Sequence, residues 1–362
     1  MLTFASARFC GAQLGACVAV FWTGCRDHGL EHGSPAAAIS DPPALAARVA
    51  TSVHLGMKST DVRAALGEPT SIDGPVRPGA PIDWLYGASR LQFRGDRLVG
   101  WSIIDDGGAP SLVFDADRQV RVDRAKAKAT SRDGRPELDG SATIDVLAKL
   151  DASTKLDHAA TFDRSATLDE VLALMGVPRS WYPLDEGRTM IEYGMGLITF
   201  DRREQLESWS NLEESLRVSL GESKKDALAV ELGSTASAVV EAMGTPVKWA
   251  RWTNQREQWC WTLGSCITLR DDHVVGWENR DGGLRVTIGL GVGRGELRSK
   301  KAGPASFAVG DSPEIVGRLM GTPTVIEDDT WFYANDASVS FKDGRVATWD
   351  DPRGVLRVGG RH

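Results

Sequence analysis

Two periods of apolar residues alternate along this chain, and the alternation occurs four times. One anchor marks each occurrence: an apolar residue, Gly, any residue, Pro. It stands as Leu66-Gly67-Glu68-Pro69, Met175-Gly176-Val177-Pro178, Met243-Gly244-Thr245-Pro246 and Met320-Gly321-Thr322-Pro323. Five residues before each Gly lies Val62, Val171, Val239 or Val316. With the apolar residue just before Gly this is an i,i+4 pair, the spacing of one helical face. Nine residues before each Gly lies Lys58, Thr167, Thr235 or Ser312. A Thr or Ser there predicts an N-cap, because its side-chain oxygen can accept from a first-turn amide. Glu170 completes a capping box with Thr167, and Pro313 suits the first helical position. Lys58 departs from the pattern, so Ser59 or Thr60 is the expected cap there. The Gly predicts a left-handed helix stop, and Pro two residues on cannot continue the helix. Each anchor therefore closes a short helix.

The period then changes to two. Three residues after each Pro lies Ile72, Trp181, Trp249 or Ile326, on a first short strand. Next come apolar pairs at i,i+2: Trp84 and Tyr86, Ile191 and Tyr193, Trp259 and Trp261, Trp331 and Tyr333. A following strand carries Leu91 and Phe93, Ile198 and Phe200, Ile267 and Leu269, Val339 and Phe341. Such alternation places each pair on one face of a sheet. A last Trp follows a polar turn, at Trp101, Trp209, Trp277 and Trp349. Leu98, Leu206, Val274 and Val346 stand three residues before it, out of phase for a regular strand. Either a bulge intervenes or both faces of that strand are covered. Leu-Arg-Val then recurs at 216–218, 284–286 and 356–358, while the first copy carries the insertion Asp105-Asp106-Gly107-Gly108-Ala109-Pro110 before Leu112.

The expected fold is therefore α+β: four tandem repeats, each a short helix packed on an antiparallel meander of three or four strands. Their bounds are 51–114, 159–220, 229–290 and 305–360. Residues 115–158 are read as a polar linker with a helix at Ser141–Leu150. Arg118, Arg121, Arg124, Lys126, Lys128 and Arg132 cluster in that linker, but Asp115, Asp117, Asp123 and Asp133 interrupt them, so a solvated segment is expected. The formal charge of -7 likewise gives no nucleic-acid footprint.

The N-terminus changes the picture from fold to compartment. Arg8 precedes a mostly apolar run from Phe9 to Gly24, too short to span a bilayer and suited to a signal-peptide core. The run ends at Thr23-Gly24-Cys25 and turns polar at Arg26-Asp27-His28. Small residues before a cysteine at that place resemble a bacterial lipobox, which implies acylation of Cys25. Trp22 stands where Leu or Val is usual. Leu14-Gly15-Ala16-Cys17 matches locally, but apolar residues continue after Cys17. Residues 1–25 are thus expected to be a lipoprotein signal, and 26–50, with Pro35, Pro42, Pro43 and seven alanines, a tether. Export bears on Cys260 and Cys266, six apart around Gly264: they either close a disulfide across a hairpin or lie as two buried thiols.

Candidate chemistry is sparse. His28, His32, His54, His158, His273 and His362 show no metal-ligand spacing outside the tether, and nucleophile-elbow and Cys-x-x-Cys motifs are missing. Gly289–Gly293 falls in a join between repeats, and Asp105, Asp106, Asp271 and Asp272 read as turn acids. Neither cofactor, metal, nucleic acid nor catalytic set is expected. Residues that break the repeat stand out instead. Tyr182 and Trp252 are aromatic where the other copies are not. They fit a protein-binding surface, where Tyr and Trp are enriched, or equally the packing between repeats.

Taken together, the Gly-x-Pro start, Trp84-Leu85-Tyr86-Gly87, Phe93, Val99 and Trp101 resemble the SmpA/OmlA group, the BamE-like lipoprotein domain of the outer-membrane β-barrel assembly machinery. The unit in tandem is also similar to the β-lactamase inhibitory protein fold. The resemblance lies mostly in core and turn positions, and four copies depart from the single-copy assembly lipoprotein. It implies a non-catalytic, protein-binding envelope lipoprotein, acting as scaffold or adaptor, at the outer membrane facing the periplasm. Inhibition of a secreted hydrolase is the alternative, and a hydrolase built on loop carboxylates such as Asp105 and Asp271 the second.

Overall fold

A computed structural model describes residues 52–75, 80–104, 112–132, 160–252, 255–289 and 306–359. Cys25, the tether, Asp105–Pro110 and the helix expected at Ser141–Leu150 lie outside these residues. Four helices end at the four Gly-x-Pro anchors: α1 (Ser59–Leu66), α3 (Leu168–Met175), α4 (Ala236–Met243) and α5 (Pro313–Met320). Between α1 and α3 lies a longer helix, α2 (Ala116–Arg132).

Capping follows the sequence in two helices. Thr167 and Glu170 form the reciprocal capping box on α3, and the Thr235 hydroxyl accepts from the Ala238 amide on α4. On α1 the N-cap is Lys58, with no side-chain cap, so the expected Ser59 or Thr60 cap does not form. Ser312 gives no side-chain cap to the α5 amides; Pro313 begins that helix, with one fewer amide to satisfy. The helix stops also differ from expectation. Gly67, Gly176, Gly244 and Gly321 have φ of 87°, 81°, 74° and 79° but ψ of -166°, -158°, -163° and -165°. This is not the left-handed helical well but an extended, positive-φ region open essentially to glycine. The chain leaves the helix in a sharper reversal, which sends the following Pro directly towards the first strand.

Four strands follow each of these helices. After α1 come β1 (Ser71–Asp73), β2 (Ile82–Tyr86), β3 (Ser89–Arg94) and β4 (Arg97–Ser102). After α3 come β5 (Ser180–Pro183), β6 (Thr189–Tyr193), β7 (Gly196–Phe200) and β8 (Leu206–Ser210). After α4 come β9 (Lys248–Arg251), β10 (Arg256–Cys260), β11 (Ser265–Arg270) and β12 (His273–Asn279). After α5 come β13 (Val325–Glu327), β14 (Thr330–Phe332), β15 (Ser338–Lys342) and β16 (Arg345–Asp350). All sixteen lie in one antiparallel sheet in sequence order. The fold is α+β, dominated by this meander.

The out-of-phase positions resolve into bulges. The register slips between Gln92 and Phe93, Thr199 and Phe200, Thr268 and Leu269, and Ser340 and Phe341. One extra residue in β4, β8, β12 and β16 restores the phase. Leu98 and Trp101 thereby face one side and are both buried, at 1% and 0% exposure. Leu112, Val218, Val286 and Val358 form isolated parallel bridges to Val53, Phe162, Val230 and Phe307. The end of each helix-and-strands segment is so tied to its own beginning.

One hydrophobic cluster fills the side of the sheet shared with the helices, joining Val62, Val171, Val239 and Val316 to Leu91, Ile198, Ile267 and Val339. A polar device recurs at its rim. Tyr86, Tyr193 and Tyr333 donate their hydroxyls to the carbonyls of Gly67, Gly176 and Gly321, at 3.1, 2.6 and 3.5 Å. Trp261 does the same with its indole N–H to Gly244, at 3.3 Å. Burial pushes the Tyr193 and Tyr333 hydroxyls well above their ordinary range, so both remain donors. Among the described residues no helix is long and apolar enough to cross a membrane.

Candidate functional site

The sheet has a second face. Period-two alternation that points Trp181, Ile191, Ile198 and Trp209 into the core points their neighbours away from it. Across β4 to β9 the register lines up Ser102 with Ser180, Ser180 with Glu192, Glu192 with Leu197, Leu197 with Ser210 and Ser210 with Lys248. A second row runs Tyr182, Met190, Thr199, Ser208 and Ala250. Most of these side chains are small or uncharged. Tyr182 and Met190 are half-buried there, and Leu197 is exposed.

Tyr182 and Trp252 both belong to this face. Trp252 follows β9 by one residue, donates its amide to the Arg256 carbonyl at 2.7 Å, and is 45% exposed. Alternation from Ala250 gives it the same side as Tyr182. The two are not neighbours: four strand steps separate β5 from β9, which at about 4.8 Å per step is roughly 19 Å. They stand at separate places on one surface rather than in one pocket.

Glu257 was not singled out by sequence reasoning, yet it is the most densely bonded acid of the third segment. It lies on the core side of β10, where the corresponding position of β2 is Ile82. Its Oε2 accepts from the indoles of Trp249 and Trp259 and from Arg164, each at 3.0 Å. Arg164 also bridges to Asp272 at 2.8 Å. Burial works against the guanidinium charge, but the bonds to Asp272 and Glu257 outweigh it and hold the Arg164 pKa above its usual value. Arg164 precedes α3 and Asp272 precedes β12, so this group ties the second segment to the third. A cleft of about 640 Å³ opens beside it, lined among others by Arg164, Lys224, Val240, Glu241 and Trp259. Two of its cations are already paired, Lys224 with Glu241 at 2.8 Å and Arg164 as above.

The segment expected to be a solvated linker is corrected by α2. Arg118 reaches Asp169 at 2.8 Å and Glu204 at 2.6 Å, and its guanidinium lies 5.7 Å from the Trp181 ring centre. Arg121 pairs with the same two acids, and Lys128 with Glu170 at 3.1 Å. Val122 is buried beneath the helix. Arg118, Arg121 and Lys128 thus present a basic side of the helix to Asp169, Glu170 and Glu204.

Cys260 and Cys266 pair directly across β10 and β11 and are joined by a disulfide, on the face away from the helices. The turn it closes is held by Asp281, whose carboxylate takes the hydroxyls of Ser265 and Thr262 and the Gly283 amide. The Ser265 and Thr262 bonds hold the Asp281 carboxyl down at about 2. Asp271 and Asp272 lie in the β11–β12 turn with φ of 52° and 62°. The Asp271 carbonyl meets His273 Nδ1 at 2.8 Å, and Asp272 is engaged by Arg164. Among the described residues no group of three or more His, Cys, Asp or Glu side chains could hold a metal ion.

Comparisons with models of protein families, with curated proteins and with solved structures find no match to this chain.

Proposed function

We propose that this chain is a non-catalytic envelope lipoprotein that binds another protein as a scaffold or adaptor, and that its four helix-and-strands segments are copies of one unit. The open sheet face carries the reading. Across β4 to β9 it carries small Ser, Thr and Ala side chains, with Tyr182 and Trp252 as amphipathic anchors and Met190 and Leu197 as apolar ones. In these two rows Glu192 and Lys248 are the ionised groups, which lowers the desolvation cost of covering this part of the face with another protein. Tyr and Trp at separate places on a broad surface suit two contact points with a macromolecule better than one pocket for a small molecule.

The unit reading is supported by the recurrence of the Gly stop, the hydroxyl or indole bond to its carbonyl, the bulge and the parallel tie. The partner is an envelope protein, and membrane attachment through Cys25 belongs to the same proposal. Capture experiments test it. Full-length protein should recover a discrete partner from a solubilised envelope extract. Tyr182→Ala and Trp252→Ala, each truncating a side chain that carries no core packing, should weaken recovery by at least about tenfold if either is an anchor worth 1.4 kcal/mol or more. Undiminished recovery with the double variant would move the binding site off this face. Inhibition of a secreted hydrolase is the second reading, favoured by the disulfide on the face and the salt bridges behind it, whose rigidity limits the ordering cost of docking. It requires that the protein abolish the activity of some hydrolase in a panel.

A further inference from the structure

The three places where one segment's last strand meets the next segment's first strand share one construction. Trp101 pairs with Trp181, Trp209 with Trp249, and Trp277 with Ile326. The three indoles donate to the carbonyls of Pro178, Pro246 and Pro323 at 3.1, 3.2 and 3.1 Å, in each case three residues before the strand partner. Two residues past each Trp, an amide donates to the carbonyl two residues before the partner. These are Ile103 to Arg179, Asn211 to Val247 and Asn279 to Thr324, at 3.0, 2.7 and 2.8 Å. Ring contact adds to the first two junctions, at 5.6 and 4.8 Å between centroids.

Both halves of this construction stand open at the ends of the sheet. Among the described residues, no strand pairs with the outer edge of β1 or of β16. β1 presents Ile72, three residues after Pro69. Ile72 is 50% exposed, whereas Trp181, Trp249 and Ile326 are at most 4% exposed. β16 presents Trp349, covered on one side by Phe307 at 6.0 Å but only partly buried, whereas Trp101, Trp209 and Trp277 are at most 2% exposed. The Thr70 amide is bonded inward to Leu85, as the Arg179 amide is to Glu192; the Arg179 carbonyl takes the Ile103 amide across its junction, and Thr70 holds the same place at the free edge. Thr348 stands where β8 has Ser208, which pairs with Ala250 in the second junction. An edge with open amides and carbonyls beside uncovered apolar side chains is a template for one more strand.

We propose that a second copy of this chain supplies it. β16 of one copy pairs antiparallel with β1 of the next, Trp349 lies opposite Ile72, its indole donates to the Pro69 carbonyl, and the Asp351 amide donates to the Thr70 carbonyl. The chain's own edge already carries every element that the three internal junctions use, at their spacing. A foreign strand would have to reproduce the offset between indole, proline carbonyl and strand partner. Because the two joined surfaces differ, the contact is heterologous: copies add head to tail until the chain of copies stops or closes into a ring. This assembly does not depend on the proposed protein-binding role, since it uses the sheet edges and leaves the open face free.

Sedimentation velocity of full-length protein in detergent, which covers the N-terminal apolar run, tests the assembly. The protein mass should rise with concentration between about 1 µM and about 1 mM, the range set by junctions of modest free energy. Ile72→Lys alters an exposed side chain, so the fold should persist, as melting of each variant will show. It should weaken self-association at least about tenfold by placing a charge against Trp349. A mixture of Ser71→Cys and Asp350→Cys proteins should cross-link under mild oxidation, more than either variant alone. A mass that stays at one copy throughout overturns the proposal. So does self-association that survives Ile72→Lys with no cross-link in the mixture, because the copies would then be joined by another surface.

Discussion

Gly176 shows how much one residue decides. Its amide still donates to the Leu172 carbonyl at 2.9 Å, closing α3, while its own carbonyl accepts the Tyr193 hydroxyl. With φ 81° and ψ -158°, it sits where a Cβ strains the backbone even though no neighbour would touch that Cβ within 4 Å. The cost of a substitution is therefore conformational rather than steric. Gly176→Ala should lose about 1–3 kcal/mol of stability. Gly176→Asn should fare no better, although Asn is commonly tolerated in the left-handed helical well. Denaturant unfolding of the two variants checks this. If Asn restored most of the stability, the residue would be in the left-handed helical well, and the sharp reversal before Pro178 would be wrong.

At the scale of elements, the contrast between α3 and α2 is instructive. The apolar spacing of α3 predicts it, because Val171 and Met175 answer a pattern present three more times in the chain. α2 has no such template, and its burial rests largely on Val122. What holds it are charges on residues 42 to 86 positions away, Asp169, Glu170 and Glu204. Local sequence carries no sign of partners so distant, so a structured helix reads as a solvated basic linker. Glu257 escaped notice for the same reason. Its position is apolar in the first segment, and Arg164 from the second segment, together with Arg251 and the indoles of Trp249 and Trp259, makes a carboxylate tolerable there. The bulges were half legible: the phase error of Leu98 against Trp101 was visible, and the register supplied the answer. Arg118→Ala should leave Asp169 and Glu204 facing each other without their main cation, with Arg121 more exposed and worse placed. A loss of about 1–3 kcal/mol is expected, scaled down from a fully buried pair because Glu204 is 35% exposed. Hydrogen exchange should speed across α2 while β7 stays protected. Equal protection of α2 in both proteins would mean that apolar packing, not these ion pairs, fixes the helix.

For the molecule as a whole, the cysteines connect fold to compartment. Five occur in the chain, and two of them, Cys260 and Cys266, are joined on β10 and β11. Structural disulfides persist in oxidising compartments, and the proposed N-terminal signal would deliver the chain to one. If that signal is cut before Cys25, Cys10 and Cys17 leave with it, and acylation consumes the Cys25 thiol. Arg26 then becomes the second mature residue, with Asp27 one place later than the position that favours inner-membrane retention in Gram-negative lipoproteins, so the outer membrane is expected. Acyl chains that each contribute about 0.8 kcal/mol per buried methylene hold a protein on membranes through a high-salt wash. Such attachment would also crowd copies into one plane and favour the proposed joining of β16 to β1 even where that contact is weak in solution. The processed protein should therefore titrate with no free thiol when denatured without reductant, and with two after reduction. Cys25→Ser should release it from membranes or leave it unprocessed, whereas Cys17→Ser should change little. Should Cys25→Ser remain membrane-bound with unaltered mobility and undiminished palmitate labelling, Cys25 is not the anchor, and another feature must attach the chain.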